Sequence, residues 1–181
     1  IQAKAQMGPE GEAIRVVDSR SASMATGLIV IAAAAAAERG ASVDEIAAVA
    51  EEMVERTRVV FLLDTLEYLK RGGRIGEASA FLGSLLRFKP LLIIENGEVK
   101  PLARPRSRKA GIKRMRAVIE EAGTIESAAV ISSLDEVGAA DLAREINDLV
   151  PNDISTGHTI GPVLGAHAGR GVIGIAYVRA S

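Results

Sequence analysis

Both histidines of the chain, His158 and His167, lie in one glycine-rich stretch, GHTIGPVLGAHAGRG at 157–171. Glycines let backbone N–H groups approach an anion closely, so this stretch reads as a loop that cradles negative charge. His167 stands between Gly165 and Gly169 with only Ala166 and Ala168 beside it. No bulky neighbour shields its imidazole, which can donate a hydrogen bond to a carboxylate. A loop histidine bonded to backbone is the competing reading, and His158 is assigned that structural role. The second chemical stretch is DTLEYLKRGGRIG, Asp64 to Gly76. Its cations, Lys70 and Arg71, suit the last turn of a short helix, and Gly72-Gly73 stops that helix. Arg74 is thereby presented from a fixed turn, either into a ligand cleft or as a solvated cap residue.

Three further groups qualify. Asp18-Ser19 ends a strand expected over Ile14–Val17, and such a strand end is where an open α/β sheet exposes its ligand edge. Phe81 sits in a helix expected over Glu77–Phe88, whose Ala78, Phe81, Leu82, Leu85 and Leu86 form one apolar stripe. That stripe is either core packing or a lid over an apolar ligand. Arg106 and Lys109 belong to the basic run RPRSRK. Without aromatic partners for base stacking, that run gives little support to nucleic-acid binding.

Composition removes several classes. The 22 basic and 23 acidic residues leave a net charge of −1, so no global field attracts nucleic acid or an anionic membrane. Cysteine is absent, which excludes disulfides and thiolate metal sites. No G-x-S-x-G elbow, P-loop or H-E-x-x-H spacing occurs. No apolar run approaches the roughly 20 residues of a membrane span, and no signal-peptide pattern is present, so a cytoplasmic location is expected. No cofactor is expected.

These groups must be positioned by an α/β framework. A helix of residues 1–7 ends at Gly8-Pro9-Glu10-Gly11, and a long helix over Ser21–Arg39 carries six alanines at 32–37. Ser42 and Glu45 form a capping box for a helix running to Arg56. Val59–Leu63 is a strand apolar on both faces, and Asp64 or Thr65 caps the turn after it. Asn96-Gly97 joins two strands in a hairpin. A helix follows to Glu121, then a strand at Ile125–Ser132, a helix at Glu136–Leu149, a short strand at Asp153–Thr156 and a last strand at Val172–Val178. The expected fold is α/β and two-lobed. Residues 1–57 are the C-terminal part of an N-terminal α/β lobe. Residues 58–181 form a C-terminal lobe with an antiparallel or mixed sheet and helices on one face. The chain opens without Met at Ile1, as the C-terminal part of a longer chain would.

The run LEYLKRGGRI at 66–75 resembles a signature of the DegV family of bacterial fatty-acid-binding proteins. Three more segments are similar in the same order: Val17-Asp18-Ser19; Lys89-Pro90-Leu91 through Gly97 to Arg106 and Lys109; and Gly165, His167, Gly169 and Gly171. Arg170 stands where the family pattern has proline. The resemblance implies a carrier, not an enzyme, that buries a long-chain fatty acid between two lobes. It implies that the carrier presents the carboxylate to a kinase subunit for acyl-phosphate formation. It makes His167 the carboxylate ligand and Arg74 and Arg106 the family's arginines, and it places further carboxylate-binding hydroxyls in the N-terminal lobe ahead of Ile1. The expected ligand-binding set is His167, Gly165, Gly169, Arg74, Asp18, Ser19 and Phe81. The expected partner-binding set is Arg106 and Lys109, with transient membrane-surface contact allowed and no nucleic acid. The alternative is a small-molecule hydrolase or phosphotransferase with His167 as general base and Asp18 or Ser19 as its partner.

Overall fold

The computed structural model describes residues 2–82, 88–150 and 154–180. Two short helices open it, α1 (Gln2–Gln6) and α2 (Pro9–Glu12). Gly8-Pro9 therefore starts a helix as well as ending one. Proline suits the first helical position, where its missing N–H would have had no partner. Residues 14–19 then run without regular structure. The strand expected at Ile14–Val17 does not form, because no neighbouring strand is there to complete its hydrogen bonds among the described residues.

Helix α3 (Met24–Glu38) and helix α4 (Val43–Arg56) follow. The Ser42 capping box forms in full: the Ser42 side chain accepts from the Glu45 N–H, and Glu45 Oε2 accepts from the Ser42 N–H at 2.7 Å. Thr57 ends α4 by donating its hydroxyl to Met53 O at 2.7 Å, and the same residue begins β1 (Thr57–Leu62). The boundary expected at residue 57 thus falls on a helix–strand junction. A short helix α5 (Glu67–Arg71) follows β1, with Thr65 Oγ1 accepting from the Glu67 N–H at 3.2 Å. The helix expected over Glu77–Phe88 is a 3-10 helix over Gly76–Phe81, and residues 83–87 lie outside the described set.

Strands β2 (Leu91–Glu95) and β3 (Glu98–Ala103) form the hairpin, with Asn96 at φ 53° and Gly97 at φ 81°. Positive φ at both central residues is what Asn-Gly supplies cheaply. Next come α6 (Arg108–Glu121), β4 (Ile125–Ser132) and α7 (Glu136–Ile146). The chain ends through β5 (Ser155–Thr159), α8 (Pro162–Ala168) and β6 (Ile173–Arg179).

The six strands make one mixed sheet in the order β3-β2-β1-β6-β4-β5. Among the described residues only the β4–β5 pair is parallel, as expected for strands joined through a helix. Side chains alternate across the central strands. Val60 and Leu62 of β1 and Ile173, Ile175 and Tyr177 of β6 join a core with Ile112, Met115 and Ile119 of α6 and Leu142 and Ile146 of α7. Gly111 permits this closeness, since a Cβ there would fall on the Leu62 side chain. On the other face, Val59, Ala176 and Val178 pack with Ala25, Leu28 and Ile29 of α3 and Met53 and Val54 of α4. Helices therefore cover both faces, not one as the sequence suggested. The α3–α4 pair closes the second face over part of its length. Beyond that pair, Phe61, Leu63 and Leu92 pack with Leu66, Leu69 and Ala78 in a third cluster.

Candidate functional site

Between the α3–α4 pair and this third cluster, the sheet face lies open as a groove of about 1100 Å³. Its floor comes from one side of the sheet: Val59 and Phe61 of β1, Ile94 of β2, Val99 of β3 and Ile131 of β4. The loop at Asp18–Ser23 and the hairpin tip at Asn96-Gly97 bound one end. The two are tied together by the Gly97 N–H donating to Arg20 O at 2.9 Å. Since Val59 pairs with Ile94 while Leu62 pairs with Leu91, the hairpin tip lies past the start of β1. The opposite end is formed by α5, α8 and Val172. A groove along a strand, apolar on its floor and polar at its ends, fits a long amphiphile with a charged head.

His167 stands in the groove wall from the last turn of α8. The loop expected at 157–171 is instead a strand, a helix and a turn. The N–H of Gly169 donates to Gly165 O at 2.8 Å, and that of Gly165 donates to Gly161 O at 2.9 Å. Both amides are thus spent within the helix, so the anion nest assigned to Gly165 and Gly169 does not exist. His158, in β5, shares a hydrogen bond of 2.6 Å between Nε2 and Ser155 Oγ.

The His167 ring lies against the backbone of Gly72, where an added Cβ would fall on its Nδ1. That nitrogen is buried without a hydrogen-bond partner among the described residues. The two glycines of KRGGRI therefore have separate tasks. Gly73, at φ 66°, makes the turn: its N–H donates to Lys70 O at 3.2 Å, and that of Arg74 to Leu69 O at 2.9 Å. This is the paired capping pattern of a helix end. Gly72 makes room for the imidazole. A second interlock repeats the idea, because a Cβ at Gly169 would strike the Tyr68 ring.

Of the other expected ligand residues, Arg74 and Asp18 line the groove with His167. Arg74 Nη1 donates to Gly72 O at 2.9 Å, and Asp18 Oδ1 accepts from the Arg20 N–H at 2.9 Å. Ser19 does not line the groove; its hydroxyl is 3.1 Å from Thr26 Oγ1. Phe81 does not line it either. Its ring lies under the Arg104 guanidinium at 4.3 Å and edge-on to Phe88 at 5.7 Å. No hydrogen bond joins His167 to Asp18 or Ser19 among the described residues, so no base–orienter pair is assembled. Arg106 and Lys109 are exposed at the approach to α6.

Sequence reasoning missed the floor residues, Gly72, Tyr68 and Ser21. The Ser21 hydroxyl, in the groove wall, is buried without a partner among the described residues. Its signal was the serine-rich run SRSAS at the foot of a long helix. No cluster of three or more metal-binding side chains occurs among the described residues. No described helix is long and apolar enough to cross a membrane.

An α/β protein with helices on both faces of a mixed sheet, and a groove where one of those faces is only partly closed, is the class that fold and site define. The family model described as "Uncharacterised protein, DegV family" matches residues 1–180, and the chain belongs to the DegV family. It is 40% identical over 169 residues to a DegV domain-containing protein of Streptomyces coelicolor, covering 90% of this chain and 59% of that one. A Thermus thermophilus structure, described as fatty acid binding of a DegV family protein, superposes with a TM-score of 0.89 at 33% identity. It covers 97% of this chain and 64% of that one. The structure of DegV from Bacillus subtilis, described as a fatty acid binding protein, matches with a TM-score of 0.76 at 34% identity, covering 91% and 60%. The chain thus spans about 60% of the length of the relatives it matches.

Proposed function

We propose that this chain supplies one wall of a fatty-acid carrier. The acyl chain lies along the groove floor, and the carboxylate meets His167. The observation that carries this reading is the groove itself: an apolar floor that includes Val59, Phe61, Ile94 and Val99, with His167 in its wall and the Nδ1 of that ring without a hydrogen-bond partner among the described residues. Burying an acyl chain gains on the order of 0.8 kcal/mol per methylene. A carboxylate leaving water must be hydrogen-bonded or paired, which is the task given to His167, with Arg74 at the same end. The fatty-acid-binding relatives from T. thermophilus and B. subtilis support the ligand class. The T. thermophilus chain extends beyond the matched part by over a third of its length, which supports a cleft completed by a second lobe.

The carrier's partner is proposed to be a kinase subunit that phosphorylates the presented carboxylate. Helix α6 has no acidic residue in its first turn, and Arg106 and Lys109 flank its N-terminus. Exposed cations at a positive helix end form a surface suited to phosphate or acidic side chains.

Solvent extraction of the purified protein followed by mass spectrometry tests the carrier. A long-chain fatty acid in near-stoichiometric amount is expected. A lipid-free extract, together with turnover of a model ester or phosphate, would favour the hydrolase. For the partner, Arg106→Ala should leave palmitate affinity intact while lowering acyl phosphorylation by the kinase subunit. Loss of palmitate binding in that variant would move Arg106 into the ligand site.

A further inference from the structure

Helix α8 has little to hold it. It is seven residues long, has no side-chain cap at its N-terminus and buries none of its residues. Yet it carries His167, whose place against Gly72 leaves no slack. Besides its packing against α5, α8 is held by the turn that follows, Gly169 to Gly171, and that turn is tied from two other elements. Ser133, just past β4, donates its hydroxyl to Gly169 O at 3.1 Å. Arg108, the first residue of α6, donates from Nη1 to Gly171 O at 2.8 Å.

Arg108 is unlike its neighbours in the basic run. Arg106 and Lys109 are exposed, whereas Arg108 is partly buried. Its Nη2 pairs with Asp135, and Asp64 approaches Nη1 at 3.8 Å. Lys89 holds Asp64 from the other side at 2.7 Å. Burial draws the Arg108 guanidinium below its usual pKa, and the charges of Asp64 and Asp141 oppose that. Gly171 fits beside this cluster only as glycine, since a Cβ there would meet the Asp64 carboxylate. One planar fork thus spans the start of α6, the segment after β4 and the turn after α8. A lysine ammonium could not pair with Asp135 and reach Gly171 O with the same fixed geometry.

We propose that Arg108 is a positioning residue for the binding site: by clamping the Gly169–Gly171 turn onto Asp135, it sets where His167 stands in the groove. This rests on the reading of His167 as the carboxylate contact, and the experiment separates the two. The ring signals of His167 and His158 are followed by NMR in ligand-free protein, wild type and Arg108→Lys, and palmitate affinity is measured on the same samples. Arg108→Lys is expected to shift or broaden the His167 signals while those of His158 stay in place. Palmitate affinity is expected to fall by about tenfold, the size of one lost charge-assisted hydrogen bond. Ser133→Ala, which removes the other tie with little change of volume, should move the same signals by less. It also serves if Arg108→Lys does not fold. A lower melting temperature with His167 signals unmoved would make Arg108 a stability residue only and overturn the proposal. If the wild type binds no palmitate, the fatty-acid reading fails, and the His167 signals still decide whether Arg108 positions the ring.

Discussion

The two faces of the sheet are built from the same strands and end differently. On the α6–α7 face, Val60, Leu62, Ile173 and Ile175 are each at most 1% exposed. On the other face, the residues one step along β1, Val59 and Phe61, are 2% and 8% exposed, and this face is closed by α3 and α4 over only part of its length, which leaves the groove beside them. The alternation of a strand makes both faces apolar but does not say which will be covered. What decides it is the length and placement of the covering elements. Helices α6 and α7 have 14 and 11 residues, whereas α5 and α8 have five and seven. Long amphipathic helices close a face, and short ones leave room and carry polar groups to the rim.

Truncating a side chain on each face in turn tests whether the two are packed alike. Leu62→Ala should cost about 2–5 kcal/mol of stability, because a fully buried leucine leaves a cavity between β1 and α6. Ile94→Ala, on the half-buried groove floor, should cost less stability and weaken palmitate binding. Denaturant unfolding and calorimetric titration of both variants check this. Equal stability losses with unchanged affinity would mean the groove is packed core like the other face.

Next in size is the polar end of the groove. His167→Ala should remove a hydrogen bond to the carboxylate worth about 1.5–3 kcal/mol. That is about ten- to a hundredfold in affinity. Gly72→Ala should act in the same direction by displacing the ring, with His167 itself intact. A palmitate titration in which both variants match wild type would remove His167 from the site.

The same helix end supplies a smaller contrast. Gly73→Ala should cost roughly 1–2 kcal/mol of stability, because an L-residue is strained at φ 66°. Palmitate affinity at a temperature where the variant is folded should change less than in Gly72→Ala. Thermal melts beside titrations separate the two neighbours, and a reversed ranking would exchange their roles.

Much of the framework could be read directly. Ser42 with Glu45, the Asn96-Gly97 turn and the apolar run after Thr57 each state a local rule that nothing distant overrides. The groove was less legible, because it is a gap between the α3–α4 pair and the α5–α8 end, elements far apart in the chain. No local pattern encodes a missing neighbour. At 157–171 the glycines suggested a loop, although Pro162 and Gly169 bracket a helix in the usual order of starter and stop. The histidine was visible in sequence, but the partner that fixes its place, Gly72, lies 95 positions earlier and is defined only by packing.

The smallest effect lies on the closed face, where Arg116 of α6 grips Asp148 just past α7. Nη1 and Nη2 donate to Oδ1 and Oδ2 at 2.6 and 2.8 Å. Hydrogen bonding from Arg116 holds the Asp148 carboxyl well below the usual range, at about 2. A carboxyl with a depressed folded-state pKa contributes stability that is complete above its unfolded value, about 3.9, and lost as pH falls toward 2. Asp148→Asn should therefore be slightly less stable than wild type at pH 6, with the gap closing between about pH 4 and 2. The effect is small because the pair is exposed, so solvent and salt screen it. Palmitate affinity should not change, since Asp148 is not among the residues that line the groove. Urea unfolding at a series of pH values measures the gap. A gap that persisted at pH 2 would show that the asparagine disturbs packing and that the lost charge is not the cause.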